Sequence, residues 1–421
     1  MTRELAVIGA GYVGLPLGQV FAEAGISTVL VDVDEDVVAT INRGESHIAD
    51  VPAEAVSTLV EANTLVATTD YDATREADAV LIAVPTPLTR QREPDLSMVL
   101  GAGRGLAQRL QRGQLVALES TTYPGTTREE LRPILETSGL VAGKDFNLAF
   151  SPERVDPGRT DWTTQNTPKI VGGLTPACTE RATRFYGRAI ETIVSVSSPD
   201  AAELVKLLEN IFRSVNIALV NELAQLCDRI GVDVWEVVDA AATKPFGFMS
   251  FKPGPGLGGH CLPVDPFYLS WKAREFDFYT EFIELAGKVN EDMPFFCFQK
   301  IGRALNDHGR PFKGSRVHLL GVSYKENVGD LRESPSLRLI ELLRESGAEV
   351  GYTDLHVPTL PEYDLVSVEL DEAVAAADCV VVVTAHDGVD YEDLPNRARL
   401  VVDQRNATGV DGNVGGKVWK L

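Results

Sequence analysis

No CxxC pair occurs in this chain. Its five cysteines, at 178, 227, 261, 297 and 379, are odd in number and widely scattered. The odd count argues against a disulfide framework, no metal site is expected, and a reducing cytoplasm is the expected setting. No apolar run reaches membrane-spanning length, and residues 1–8 read straight into a strand pattern, so no signal peptide is expected. Positive charge is also scarce. Thirty-nine Lys and Arg face 61 Asp and Glu, a formal net charge of −22. Such a surface repels nucleic acid and anionic membranes, so any phosphate site must be locally basic or built from backbone N–H groups.

What remains is the composition of a globular protein, 44% hydrophobic and 24% charged, with 421 residues to divide among two or three cores. The first motif follows an apolar run, residues 4–8, that reads as a strand. Gly9-Ala10-Gly11-Tyr12-Val13-Gly14 then opens a helical pattern over residues 15–24. Strand, GxGxxG and helix in that order form a dinucleotide fingerprint, in which a pyrophosphate sits on the helix N-terminus. A second strand, residues 27–31, ends in Asp32, placed to accept the adenosine ribose hydroxyls. A carboxylate there repels a 2′-phosphate, which favours NAD over NADP.

Further strands over 79–84, 115–119 and 146–150 deliver Pro85-Thr86-Pro87, Ser120-Thr121-Thr122 and Ser151-Pro152-Glu153-Arg154 to one sheet edge. Ligands of open parallel sheets bind at that edge. Thr121 is either a turn residue or a holder of water or a substrate hydroxyl. Glu153 beside Arg154 is either an acid/base group or a plain surface ion pair, and the residues alone favour the pair.

Ser198-Pro199-Asp200 starts a long amphipathic helix whose apolar residues recur at 204, 208, 211, 215, 219, 223 and 226. Lys206 and Asn210 lie one turn apart on it, where a lysine is either solvated or available to hold an oxyanion. A second long helix is expected over 279–307, and the pair suggests a dimerisation core. Between them runs Pro253-Gly254-Pro255-Gly256-Leu257-Gly258-Gly259-His260-Cys261, with Asp265 four residues on. A thiol beside a glycine-crowded loop is a candidate nucleophile, or else a buried cysteine in a Pro/Gly-rich connection.

The last third repeats the order of the first. A strand over 316–321 ends in glycine, a helix covers 336–346, a strand over 349–352 leads to Asp354, and an apolar strand runs to Thr384. The expected fold is therefore α/β, two Rossmann-type parallel-sheet domains (1–196 and 311–421) joined by a helical one (197–310). In place of GxGxxG the third domain carries Tyr324, Lys325, Asp330 and Arg332, and later Arg405. These are either a second phosphate-binding set, with Tyr324 free to stack on a base, or a solvated, salt-bridged loop.

Taken together, these motifs resemble the UDP-glucose/GDP-mannose dehydrogenase family over nearly the whole chain. Residues 243–248, 253–256 and 266–273 are similar to its bacterial UDP-N-acetylhexosamine branch, with UDP-N-acetylglucosamine as the expected substrate. The resemblance implies oxidation of the sugar C6 alcohol to a carboxylate with two NAD⁺, feeding the synthesis of surface polysaccharide or glycoconjugate. It implies Cys261 as nucleophile, Lys206 and Asn210 as oxyanion holders, Asp265 with Thr121 positioning water, and Glu153 as acid/base. It further implies that Gly9, Gly11, Tyr12, Val13, Gly14, Asp32, Pro85, Thr86, Ser120, Thr121 and Arg332 meet the cofactor. Glu153, Arg154, Lys206, Asn210, Lys252, Gly254, Gly256, Gly258, Tyr324, Lys325 and Arg405 would meet the UDP-sugar. UDP-glucose and UDP-N-acetylmannosamine stay open as substrates. A two-electron dehydrogenase would need no cysteine, and a non-catalytic NAD sensor would need none of the four central residues. Some relatives carry a second glutamate near the position of Pro157, and some lend an arginine from a neighbouring subunit, for which Lys244 is the candidate stand-in.

Overall fold

The computed structural model describes residues 3–48, 51–89, 91–156, 161–259, 261–410 and 416–421, with Cys261 described through its backbone. The chain divides into two compact units, Met1–Glu209 with Phe267–Tyr279, and Asn210–Pro266 with Thr280–Leu421. The division cuts two helices, the long Pro199–Ile230 and the shorter Cys261–Ala273.

In the first unit the strands are β1 Leu5–Ile8, β2 Thr28–Val31, β3 Leu65–Thr68, β4 Ala79–Ile82, β5 Leu115–Leu118, β6 Asn147–Phe150, β7 Lys169–Gly173 and β8 Ile193–Val196. Among the described residues they form one sheet in the order β3-β2-β1-β4-β5-β6-β7-β8. All pairings are parallel except β6 with β7. The strands β1, β4 and β5 are continuous apolar runs, and β2 is apolar after Thr28, because both faces are covered: Leu5 and Val7 enter one core, Ala6 and Ile8 the other. Chain order reverses at β1, so β1 and β4 leave a crevice at their carboxyl ends, next to the glycine turn.

The second unit holds β9 Arg316–Leu320, β10 Glu349–Thr353, a small antiparallel pair β11 Thr359–Leu360 and β12 Leu365–Val366, then β13 Cys379–Val382, β14 Val401–Asp403 and β15 Val418–Lys420. Its parallel sheet runs β10-β9-β13-β14-β15. The helix Glu281–Asp307 packs Ile301, Ala304 and Leu305 into the same core as Val317, Leu319 and Val381.

Two sequence expectations change. The Pro-rich stretch after Gly259 is a helix from Cys261, not a connection: Pro263 falls in the first turn, where no intrahelical N–H is required, and Pro266 lies inside it. The apolar line of the long helix does not face a core throughout. Leu204, Leu208, Leu219 and Leu226 are exposed, whereas Lys206, Asn210, Ser214 and Asn221 are buried. Among the described residues, no helix is long and apolar enough to cross a membrane.

Candidate active site

The glycine turn shows which glycines serve the chain and which leave room for a ligand. Gly9 has φ +96°, and a Cβ there would lie 2.4 Å from the Ala83 carbonyl oxygen. A Cβ on Gly14 would lie 1.8 Å from the Gly9 carbonyl oxygen, so the first helix can start this close to β1 only without a side chain. At Gly11 no atom lies within 4 Å of such a Cβ. That open side, at the N-terminus of helix Gly14–Glu23, is the cradle a pyrophosphate requires. Asp32 closes the turn by accepting the Ala10 N–H at 2.7 Å through one oxygen and the Asp34 N–H at 3.0 Å through the other. Each oxygen keeps acceptor capacity, so ribose hydroxyls fit.

At the neighbouring strand ends, Thr86 donates its hydroxyl to the Thr121 carbonyl at 2.7 Å, and Ser120 donates to the Val84 carbonyl at 2.7 Å. These bonds tie the turn after β4 to the turn after β5. Tyr268, fully buried, donates to the Thr86 carbonyl at 2.7 Å. The turn after β5 is held from beneath by Glu203, which accepts Gly125 N–H at 2.6 Å and the N–H and hydroxyl of Thr127 at 2.9 and 2.7 Å. Burial pushes the Glu203 carboxyl up to about 7 against those three donors. No local pattern announces this clamp, because its partners are more than seventy residues apart.

Glu153 and Arg154 do not pair with each other, which corrects the surface ion pair favoured by the residues alone. One Glu153 oxygen accepts the N–H groups of Arg154 and Val155, each at 2.8 Å; the other lies 3.3 Å from Lys169 Nζ. Burial would raise the Glu153 carboxyl, but Lys169, the two backbone donors and Lys206 outweigh it and hold it below its ordinary range. Arg154 instead forks onto Glu209 and the Pro168 carbonyl. Its donors are engaged within the protein, which leaves less of it for a substrate than expected. Lys206, on the long helix, is 8% exposed.

In the second unit Asn210 donates its amide to Asp265, which is 1% exposed. The structure thus brings two of the expected residues together, and Asp265 stands one turn into the helix whose first residue is Cys261. The Cys261 side chain and His260 lie outside the described residues. The other four cysteines are free and buried. Burial raises the thiols of Cys227 and Cys379, and pushes Cys297 up to about 12. Those three are poor nucleophiles near neutrality.

The glycine loop 254–259 is packed against protein on its Cβ side. A Cβ on Gly254 would lie 2.7 Å from Arg405 Nη1; on Gly258, 2.4 Å from Tyr324 Cβ; and on Gly259, 2.9 Å from the Tyr324 ring. Gly256 (φ +138°) lies beside the Asn290 carbonyl. On that side these glycines admit Tyr324 and Arg405. The loop is also pinned by Asn221, which accepts the Gly254 N–H at 2.9 Å and donates to Asn290 at 2.9 Å. Arg405 donates Nε to the Val383 carbonyl at 2.7 Å. Arg332 pairs with Asp330 at 2.6 Å. Lys252 is exposed. Among the described residues, no group of His, Cys, Asp and Glu could hold a metal ion.

Residues 3–190, 200–292 and 318–410 match, in turn, the NAD-binding, central and UDP-binding domains of the UDP-glucose/GDP-mannose dehydrogenase family. The chain is 37% identical over 416 residues to an NDP-N-acetyl-D-galactosaminuronic acid dehydrogenase of Ralstonia nicotianae, covering 96% of each. It is 37% identical over 398 residues to the UDP-N-acetyl-D-mannosamine dehydrogenase of Escherichia coli, covering 91% of this chain and 93% of the other. Among solved structures, a UDP-D-ManNAc dehydrogenase from Pyrococcus horikoshii superposes with a TM-score of 0.90 at 33% identity, covering 99% and 98% of the two chains. With the open cradle at Gly11 and the aspartate after β2, these matches place the chain in the UDP-glucose/GDP-mannose dehydrogenase family, NAD-dependent oxidoreductases acting on UDP-sugars.

Proposed function

We propose that this chain oxidises the C6 alcohol of a UDP-N-acetylhexosamine to the carboxylate, through two successive hydride losses, in the synthesis of surface polysaccharide or glycoconjugate precursors. The reading is carried by the Asn210–Asp265 hydrogen bond, which sets a buried amide and carboxylate together one turn into the helix that Cys261 begins. When bound, NAD⁺ accepts the hydride leaving C6 at each oxidation. The first loss gives an aldehyde, to which the Cys261 thiolate adds as a thiohemiacetal. The second gives a thioester, and water releases the acid and the free thiolate.

Lys206 and Asn210 would hold the oxyanions, and Thr121 with Asp265 would position water. Glu153, already ionised, would act as the base. Gly9, Gly11, Tyr12, Val13, Gly14, Asp32, Pro85, Thr86, Ser120 and Arg332 are assigned to the cofactor. Lys252, Gly254, Gly256, Gly258, Tyr324, Lys325 and Arg405 are assigned to the UDP-sugar, with Arg154 in a supporting role through Glu209. In this reading residues 1–196 carry the cofactor, 197–310 the thiol and 311–421 the uridine diphosphate.

The sugar expected from the sequence, UDP-N-acetylglucosamine, is not the one in the names of the relatives above. Those names put UDP-N-acetylmannosamine and the galacto sugar first in order of testing. A panel of UDP-sugars is expected to yield two NADH per sugar with an acetamido substrate. One NADH at saturation, or UDP-glucose outperforming every acetamido sugar, overturns the reading. Cys261→Ala is expected to lose acid formation by at least about a thousandfold while keeping the fold.

The chain is further proposed to act as a homodimer in the cytoplasm. Phe212, Leu219, Leu226 and Ile230 recur at one-face spacing on the long helix and are 46–63% exposed, a stripe suited to a second copy. The four free thiols suit a reducing compartment.

A further inference from the structure

Behind Glu153 lies a buried ionic cluster that the reaction as described does not use. Lys169, the first residue of β7, is 4% exposed at its side chain. Its ammonium lies 2.6 Å from Glu119, the residue after β5, and 3.3 Å from Glu153, three residues after β6. Glu119 is fully buried, and its second oxygen accepts the hydroxyl of Tyr186, the last residue of helix Pro176–Tyr186. One lysine thus serves two carboxylates on three neighbouring strand ends.

Such a cluster is a poor device for stability alone, because removing three ions from water costs several kcal/mol per ion. An apolar trio at the same strand ends would hold the sheet as well. What the cluster does achieve is to fix one carboxylate. Glu153 has one oxygen occupied by two backbone N–H groups and the other faced by Lys169, so neither its charge nor its rotamer is left to chance. Counting Lys206, whose charge also acts on Glu153, two cations balance two anions. The other charges nearby, Arg154 and Glu209, satisfy each other.

We propose that Lys169 is a positioning residue for catalysis: shared between Glu119 and Glu153, it holds Glu153 as an oriented carboxylate able to take a proton. Glu119, capped by Tyr186, keeps the lysine in place. This inference rests on the reading of Glu153 as the base.

The test is the pH dependence of acid formation. In the wild-type protein Glu153 is held below its ordinary range, so the acid limb of the kcat profile is expected to lie low. In Lys169→Met, Glu153 stays buried without its cation. Its carboxyl rises, so the acid limb of the kcat profile moves to higher pH than in the wild type and activity is restored as pH is raised. Lys169→Arg restores the wild-type profile, and KM for NAD⁺ is unchanged throughout. A purely structural lysine would lower kcat equally at every pH, and that result overturns the proposal. If Lys169→Met does not fold, the double variant Glu119→Gln/Lys169→Met removes both partners of the buried pair. The same rescue by raised pH is expected of it, and its absence refutes the idea. Glu153→Gln separates the two readings. If it keeps wild-type kcat and profile, Glu153 is not the base. If it loses activity while Lys169→Met keeps the wild-type profile, the role of Lys169 alone is refuted.

Discussion

In the first unit Asp32 follows β2 and accepts the N–H of Ala10, the residue after the glycine that follows β1, at 2.7 Å. In the second unit Asp354 follows β10 and accepts the N–H of Val322, the residue after the glycine that follows β9, also at 2.7 Å. The two units therefore brace their first turns with the same bond. They differ in what the carboxylate has left. Among the described residues, Asp32 takes only one further N–H, from Asp34. Asp354 also takes Ser323 N–H and His386 Nε2 on one oxygen, and the N–H groups of His356 and Val357 on the other. His386 accepts the Asn327 N–H at Nδ1, which fixes its proton on Nε2, facing Asp354. The first aspartate has capacity for a ribose; the second is consumed by its own loop. The repeated fold thus carries a ligand acceptor in one copy and an internal brace in the other, so the second nucleotide must be recognised by different groups.

The sharpest way to break that contrast is Asp354→Ala, which strands a set of buried donors and is expected to cost about 3–5 kcal/mol in the second unit's unfolding. Calorimetry would register it as a large loss, and a change below about 1 kcal/mol would contradict the bracing role. Asp354 itself is held below its ordinary value: burial opposes this, but His386 and the backbone donors prevail. Its contribution is present above the unfolded carboxylate range and is lost as pH falls through the lowered folded value.

Glu203 in the first unit has the opposite sign. With its folded value near 7 against an ordinary 4.5, its folded form retains a proton that the unfolded chain has lost. The associated stability, on the order of 3 kcal/mol, is present at low pH and lost as pH rises from about 4.5 through 7. Melting curves between pH 5 and 8 should show that decline, and Glu203→Gln should flatten it. An equal decline in the variant would place its origin elsewhere.

Smaller effects separate ligand from scaffold. Gly11→Ala puts a methyl group into the open cradle and is expected to weaken NAD⁺ about tenfold to a hundredfold with little change in melting temperature. Gly14→Ala is expected to disturb the fold itself. Asp32→Ala should weaken NAD⁺ about tenfold and leave UDP-sugar affinity unchanged. Isothermal titration with each ligand measures both, and a parallel loss of UDP-sugar binding in Asp32→Ala would erase the distinction drawn between the two aspartates.

Much of this was legible in residue order. β1, the glycine turn and Asp32 form a local motif, and continuous apolar runs announce strands buried on both faces. β7 was not legible. Its Lys-Ile-Val-Gly-Gly has two apolar side chains, opens on a lysine and follows a proline, so nothing local marks it as a central strand. Its lysine is tolerated there only because Glu119, fifty residues earlier, arrives beside it. The helix at Cys261 was hidden for the opposite reason: two prolines imitate a connection, although one of them lies where a helix needs no donor.

By itself, then, the sequence determined the cofactor turn, the two-unit repeat and which cysteine stands beside a glycine loop, because those depend on neighbours within a turn or a strand. Only the tertiary structure decided how each carboxylate is used. Asp32 and Asp354 occupy equivalent places in two similar motifs, and Glu153 stands beside an arginine that it does not pair with. Charge state and free acceptor capacity follow from burial and from partners distant in the chain, and no local pattern encodes those.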